Sequence, residues 1–361
     1  MLFGVVVAVA AAHRAWDAHF DFGIFYYAAH IVLDGARQSL YDLPTQRAFE
    51  AQFHRPVGFY FCHPPAALLP FLAIAKLPIE VAFIILTVTS VALLVLSVQV
   101  LARHARLQCG NWPVLLSLAF MPVSACLGQG QLSLFVLAAY VLTYSLWRKG
   151  RFFLGGVVLA VATIKFQLVI GFIAVLIMKR KWRELLGFAS GSAVMVAISA
   201  LMIGLTGLLR YPVFLLQGGP NSGAQFDKMA NWRGLLSLVG ADRWMVIAAL
   251  SLLTILFAAR LWQDLDTGFS AALLAAMLVS YHFSPQDLSL FLIPAFLSVR
   301  IGFPREQLLP LALSSLLLPE ILAAFGGHYA LLAIPLGLCL WWIGQRSVGS
   351  PSEIAMPAVT Q

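Results

Sequence analysis

Residues 152–178 read FFLGGVVLAVATIKFQLVIGFIAVLIM, an apolar run that contains one charged residue, Lys165. Basic residues lie on both sides of the run, at 148–151 and at 179–183. Because cytoplasmic loops of membrane proteins are enriched in Lys and Arg, one span across the whole run would place one basic group on the wrong side. The run therefore predicts two short helices that meet at Lys165. A break of this kind inside a membrane must be buried in protein or line a wet cavity.

The rest of the chain has the composition of a membrane protein. Of its 361 residues, 61% are hydrophobic and only 11% are charged, against about 25% charged in an ordinary soluble domain. Apolar runs recur along the sequence, for example at 81–102 and 185–209. Since a helix needs about 20 apolar residues to cross a bilayer, the pattern predicts an all-α, polytopic transmembrane helical bundle of about 11–13 spans.

The predicted bundle is a single domain over residues 1–348, followed by a short cytoplasmic tail at 349–361. Residues 64–78 are too short to cross the membrane and end in a proline, so we interpret them as a re-entrant or juxtamembrane helix after the first outer loop. Residues 2–12 are also too short for a span, and we expect the first span to lack its beginning.

The net charge of +8 is interpreted as a topology signal rather than as a sign of nucleic-acid binding. Basic residues cluster in short loops, which we assign to the cytoplasmic side: 103–106, 148–151, 179–183, 300–305 and Arg346. The other connections then face outward: the first large loop at 13–63, the segment 128–131, the turn at Lys165, the second large loop at 209–243, and the segment 282–287. The sequence thus predicts a multi-pass protein of the cell inner (plasma) membrane.

The four cysteines do not form a recognisable site. Cys62, Cys109, Cys126 and Cys339 are scattered, without the paired spacing of a metal or redox centre. We therefore expect neither a metal site nor a cofactor.

Lys165 is the strongest candidate for function. An ammonium group inside an apolar run is costly unless it is paired, and ionisable residues within membranes are functional by default. Its partner is either an acidic side chain or a phosphate, and the sequence leaves both open.

Asp21 is the candidate for a general base in the first outer loop. It lies between Phe20 and Phe22 and precedes Tyr26 and Tyr27, so its surroundings are apolar and aromatic. A carboxylate in a partly dry setting has a raised pKa and becomes a competent base. The alternative is that Asp21 caps the next helix.

Further polar residues lie in the segments assigned to the outside. Gln129 belongs to the sequence GQGQ at 128–131, which supplies hydrogen-bonding amides or is merely a turn. His282 and Asp287 flank a Ser-Pro pair, where they either belong to the site or merely extend to the membrane surface. Lys228 and Arg233 lie in the second large loop. The two cations either grip an anionic head group or face water. Carboxylate, cations and aromatics on one side, Tyr26 and Tyr27 among them, together indicate a substrate that carries phosphate and hydroxyl groups. We take these residues as candidates for binding it.

These landmarks resemble a known family. The sequence DFGIFYYAA at 21–29, with LYD at 40–42 and PPAALL at 64–69, resembles the opening of glycosyltransferase family 87. The likeness continues through GQ at 128–129, KFQ at 165–167, NWRGLL at 231–236, SYH at 280–282 and DL at 287–288. That family has the GT-C fold and includes polyprenyl-phosphate-mannose-dependent α-mannosyltransferases. The chain departs from the family pattern at His63, where a tyrosine commonly precedes the two prolines.

The resemblance implies a hexosyltransferase. A polyprenyl-phosphate-linked sugar, mannose-like by analogy, would be transferred with inversion to a hydroxyl of a glycolipid or glycan acceptor outside the cytoplasm. It implies that Asp21 is the catalytic base and that Lys165, assisted by His282, binds the donor phosphate. A transporter or flippase for a lipid-linked or anionic solute is the alternative, because broken helices are also common in transporters. A third reading is an inactive relative that acts as an assembly partner.

Overall fold

The computed structural model describes residues 21–52, 60–107, 110–217, 226–301, 321–322 and 327–348. Within these ranges every regular element is helical, so the prediction of an all-α fold is confirmed. The α-helices are α1 (Asp21–Leu33), α2 (Leu43–Gln52), α3 (Leu69–Leu72), α4 (Ile79–His104), α5 (Trp112–Ala119), α6 (Met121–Gln129), α7 (Ser133–Arg148), α8 (Phe152–Leu159), α9 (Ile170–Met178), α10 (Trp182–Leu216), α11 (Trp232–Leu238), α12 (Trp244–Arg260), α13 (Leu265–Val279), α14 (Leu292–Arg300) and α15 (Ala333–Val348). Short 3₁₀ helices connect them at Arg37–Ser39, Pro65–Leu68, Ala160–Leu168, Phe226–Lys228, Pro285–Phe291 and Tyr329–Leu332.

Two of the described helices, α4 and α10, are long and apolar enough to cross a membrane. The number rises to four if two bent pairs, α5 with α6 and α8 with α9, each form one span. Several shorter apolar helices pack among them, including α7 and α13. A count of 11–13 spans therefore stays a prediction. The single-domain boundary also stays a prediction, and residues 1–20 and the tail at 349–361 lie outside the described residues.

The break predicted at Lys165 is confirmed. Helix α8 runs into the 3₁₀ helix Ala160–Leu168, inside which Lys165 has the non-helical dihedrals φ −125° and ψ 66°. Helix α9 then leaves at 116° to the preceding segment. A turn of more than 90° sends the chain back toward the end at which α8 began, so the basic residues before α8 and after α9 lie on the same side of the break.

Helix α8 packs closely along α10. Gly187 on α10 lies against the backbone carbonyl of Phe153 on α8, and a Cβ at position 187 would overlap that carbonyl. In a membrane the hydrophobic effect does not drive helices to associate, so close packing has to stabilise the contact, and small residues allow two helices to approach until their backbones touch. This contact fixes the direction in which α8 carries the chain to Lys165.

An ionic cluster joins several basic loops at one end of the bundle. Asp266, in the first turn of α13, accepts hydrogen bonds from Arg148 (3.2 Å) and from Arg300 Nε (2.7 Å). Arg300 also donates to the carbonyl oxygen of His104 (2.7 Å). Residues from the loops at 103–106 and 148–151 and from the end of α14 are therefore adjacent, as the shared sidedness predicts. Which face of the membrane they occupy stays a prediction.

The described part of the first loop is folded onto the bundle. The buried side chain of Gln46 donates to the carbonyl oxygen of Leu40 (2.8 Å) and accepts from the backbone N–H of Phe61 (2.8 Å). The segment after this loop forms only the 3₁₀ helix Pro65–Leu68 and the single-turn helix α3. It is too short to cross a bilayer, in agreement with its interpretation as a re-entrant or juxtamembrane element.

Candidate active site

Lys165 is paired inside the protein with an acidic side chain. Its Nζ lies 2.7 Å from Asp287 Oδ1 and donates a second hydrogen bond to Ser133 Oγ (3.0 Å). The Ser133 hydroxyl in turn donates to Asp287 Oδ1 (2.7 Å). Lys165 is 2% exposed and Asp287 is 1% exposed. Of the two partners that the sequence left open for Lys165, the structure supplies the carboxylate.

Local structure holds Asp287 in this position. Asp287 lies in the first turn of the 3₁₀ helix Pro285–Phe291, where it forms a capping box with Ser284. The backbone N–H of Ser284 donates to Asp287 Oδ2 (3.0 Å), so both carboxylate oxygens are satisfied. A buried ion pair is tolerated when further hydrogen bonds complete its geometry, and Ser133 and Ser284 provide them here.

Asp21 forms the second part of the site, with Gln131 as its partner. The side-chain amide of Gln131 donates to Asp21 Oδ2. The loop carrying Gln131 approaches α1 closely through Gly130, which has φ +65° and whose hypothetical Cβ would lie 2.6 Å from Phe22 Cβ. No other residue type fits this turn without strain. The GQGQ segment therefore packs against α1 and is not merely a turn between helices.

The environment of Asp21 suits a base. Asp21 keeps some exposed surface, but burial of its carboxyl raises the pKa above the ordinary value of an aspartate. The hydrogen bond from Gln131 and the positive charge of Lys165 offset only part of that rise. Because the charges of both Lys165 and Asp287 act on Asp21, the two parts form one electrostatically connected site.

Two histidines line the same site. His63 is influenced by the charges of Lys165, His282 and Asp287, and burial is the main cause that lowers its pKa to about 3. Burial also lowers the pKa of His282, whose ring nitrogen lies 3.2 Å from Ser284 Oγ. Burial therefore favours the neutral form of both imidazoles.

Arg233 approaches the site from the second large loop. Its guanidinium donates to the carbonyl oxygen of Tyr281 (3.1 Å) and lies 4.2 Å from the centroid of the Phe226 ring. The positive charge of Arg233 contributes to lowering the pKa of His282. Asn231 fixes the start of α11, since its side chain accepts from the N–H of Gly234 (2.8 Å) and donates to the carbonyl oxygen of Ser280 (2.6 Å).

The remaining predicted site residues have other surroundings. The Tyr26 hydroxyl donates to the carbonyl oxygen of Leu77 (2.7 Å), and Tyr27 is buried in the core. Lys228 is exposed, and no hydrogen bond or ion pair within the described ranges joins it to the cluster. The Gln129 Oε1 is buried without a hydrogen-bond partner in the described part of the chain. Gln131, two residues later, is the amide that contacts Asp21.

Some residues of the cluster were not selected from the sequence, among them His63, Gln131 and Ser133. Gln131 lies in the same GQGQ motif as Gln129, and His63 interrupts the family pattern, so a weak signal existed for both. Ser133 had none, because a serine at the start of an apolar helix is unremarkable. No group of three His, Cys, Asp or Glu side chains in the described ranges is arranged to hold a metal ion.

Comparison with known proteins identifies the family. The model of glycosyltransferase family 87 matches residues 61–285, more than half of the 361-residue chain. The match includes Lys165, His282 and the GQGQ segment, whereas Asp21 and Asp287 lie outside it. No curated protein and no solved structure matches the chain. Its helical membrane architecture and its match over residues 61–285 show that the chain belongs to glycosyltransferase family 87 and is a multi-pass membrane glycosyltransferase.

Proposed function

We propose that the protein transfers a sugar, mannose-like by family analogy, from a polyprenyl-phosphate donor to a hydroxyl of a glycolipid or glycan. The observation that carries the proposal is the convergence of Asp21 and Lys165, a base and a cation, in one site: their hydrogen-bond partners, Gln131 and Ser133, are two residues apart. Transfer from an anionic leaving group requires both: a group that accepts the proton of the hydroxyl and charge that stabilises the departing phosphate.

The active site faces the extracytoplasmic side of the inner membrane in this proposal. Lys165 follows α8 and most of a 3₁₀ helix, Ala160–Leu168, after the basic loop at 148–151. At 1.5–2.0 Å per residue, this path approaches the thickness of the hydrocarbon core, about 30 Å. Since basic loops favour the cytoplasm, the break at Lys165 lies toward the opposite face.

The reaction is a single displacement with inversion. The acceptor oxygen attacks the anomeric carbon while the bond from that carbon to the phosphate oxygen breaks. Asp21 takes the proton of the acceptor hydroxyl, and polyprenyl phosphate leaves with the bonding electrons. The raised pKa of Asp21 makes it a stronger base than a solvated aspartate.

Lys165 and Arg233 receive the charge of the leaving phosphate. The Lys165 ammonium carries three N–H donors, of which Asp287 and Ser133 occupy two. The third has no partner in the described part of the chain and is available to a phosphate oxygen. Because Asp287 neutralises much of the lysine charge, the guanidinium of Arg233 supplies a second positive group on this side of the site.

A transporter of a lipid-linked or anionic solute is the second candidate, favoured by the broken helix at Lys165. The two are separated by incubating the purified protein in proteoliposomes with a radiolabelled polyprenyl-phosphate sugar and a membrane extract. We expect label in a new glycolipid or glycan product, and its loss in Asp21→Asn. Movement of intact donor across the bilayer without any product would establish the transporter instead.

A further inference from the structure

His63 lies between the two halves of the site and is fixed on several sides. Its ring stacks on Phe25, with centroids 4.9 Å apart and an interplanar angle of 28°. Phe25 is one helical turn after Asp21 on α1. The Tyr41 hydroxyl donates to the backbone carbonyl oxygen of His63 (2.7 Å). The position of the imidazole is therefore set by α1 and by the folded first loop together.

The His63 ring lies beside the helix break. The 3₁₀ helix Pro65–Leu68, which begins two residues after His63, packs against the broken segment Ala160–Leu168. The backbone carbonyl of Ile164, the residue before Lys165, is close enough to interact with the ring. Because Lys165 has non-helical dihedrals, the backbone around it is released from regular helical hydrogen bonding. A carbonyl of the broken segment can therefore accept the single N–H of a neutral His63 imidazole.

The second ring nitrogen has different chemistry. A neutral imidazole has one N–H donor and one acceptor lone pair, so the ring nitrogen that carries no proton is an acceptor. It has no hydrogen-bond partner in the described residues, and the His63 side chain retains exposed surface. A lone pair of this kind repels the oxygens of a phosphodiester, which has no proton to donate. The complementary ligand group is a hydroxyl.

We propose that His63 is a substrate-binding residue that accepts a hydrogen bond from a hydroxyl of the sugar carried by the donor. The inference rests on the proposed function and extends it to the recognition of the sugar. The donor's sugar is favoured over the acceptor because the 3₁₀ helix that follows His63, Pro65–Leu68, packs against the broken segment that carries Lys165, on the phosphate side of the site. The charges of Lys165, His282 and Asp287 act on His63 in keeping with this position.

Two variants and two ligands test this role. His63→Phe keeps a ring to stack on Phe25 but removes the acceptor nitrogen, whereas His63→Gln keeps a donor and an acceptor. Binding of a polyprenyl-phosphate sugar and of polyprenyl phosphate alone is measured on the purified full chain in nanodiscs. We expect His63→Phe to weaken binding of the sugar-bearing ligand by about 2- to 12-fold, the range of one neutral hydrogen bond. Binding of polyprenyl phosphate should not change, and His63→Gln should recover part of the loss.

His104→Phe is the matched control, since this histidine contacts Ser145 and Tyr144 near the basic loops and should leave both affinities unchanged. An equal loss for both ligands in His63→Phe would mean that His63 only supports the break at Lys165. No loss for either ligand would mean that His63 does not bind the sugar. Either result overturns the inference. If the wild type binds neither ligand more tightly than it binds a neutral lipid, the proposed function itself fails, and this result is distinct from a failure of the role of His63.

Discussion

Lys165 Nζ lies 2.7 Å from Asp287 Oδ1, although the two residues are 122 positions apart in the chain. The pair joins the break after α8 to the 3₁₀ helix Pro285–Phe291, and Ser133 at the start of α7 completes it. Three segments that are separate in sequence therefore share one buried polar centre. Since both charges are buried, neither residue can be changed alone without leaving the other uncompensated.

The first prediction separates the structural role of Lys165 from phosphate binding. Lys165→Met alone should lower the stability by about 3–5 kcal/mol, because Asp287 is left as an unpaired buried charge. The double variant Lys165→Met/Asp287→Leu removes both charges and should recover most of that stability, measured by thermal unfolding in detergent. Donor affinity should remain low in the double variant, because the N–H donor for the phosphate is still missing. Recovery of donor affinity would mean that the lysine is structural only.

The second prediction concerns the base. Asp21→Asn preserves size and can still hydrogen-bond to Gln131, but it cannot take a proton from the acceptor. Turnover should fall by about 10²- to 10⁴-fold, while donor binding changes little. Asp34→Asn is the matched control from the same loop, since Asp34 is exposed and pairs with His30 (3.1 Å). Normal turnover in Asp21→Asn would assign the base to another residue.

The third prediction follows from the contact between Gln131 and Asp21. A hydrogen bond donated to a carboxylate stabilises its charged form and lowers its pKa, so Gln131→Leu should raise the pKa of Asp21 further. Asp21 acts as a base only when it is ionised. The acidic limb of the kcat/KM profile should therefore move to higher pH by about one unit, as one charge-assisted hydrogen bond would give. Gln52 is an exposed glutamine at the end of α2, and the control variant Gln52→Leu should leave the acidic limb in place. If the limb does not move in Gln131→Leu, Gln131 does not influence the pKa of the base.

The fourth prediction tests the topology. In a cysteine-free background, Lys149→Cys and Arg183→Cys should resist a membrane-impermeant maleimide applied from outside, because both loops are expected in the cytoplasm. Arg37→Cys, in an exposed position of the first loop, should react. Labelling of Lys149→Cys from outside in intact cells would reverse the sidedness and place the site of Asp21 and Lys165 toward the cytoplasm.

Part of the site was accessible from the sequence because its signals are local. The apolar run at 152–178 and the basic residues at its two ends required a reversal near Lys165, and the structure has one there. Asp21 and Lys165 were selected as charged groups in apolar surroundings, and His282 and Asp287 as polar groups on an outward turn. The structure brings the four together. Tyr26 and Tyr27 were selected by proximity in sequence, but an α-helix points neighbouring residues in different directions, and these two are packed into other parts of the core.

The sequence alone determined that the chain is a helical membrane protein, because the length and composition of its apolar runs are properties of each segment separately. It also determined where the chain breaks, since charge and hydropathy along one run decide that. Only the tertiary structure decided that Asp287 is the partner of Lys165, that Gln131 rather than Gln129 contacts Asp21, and that His63 enters the site. Those contacts depend on how α1, α7 and the broken segment pack against one another. Distances between such segments are set by packing in three dimensions, and no local pattern encodes them.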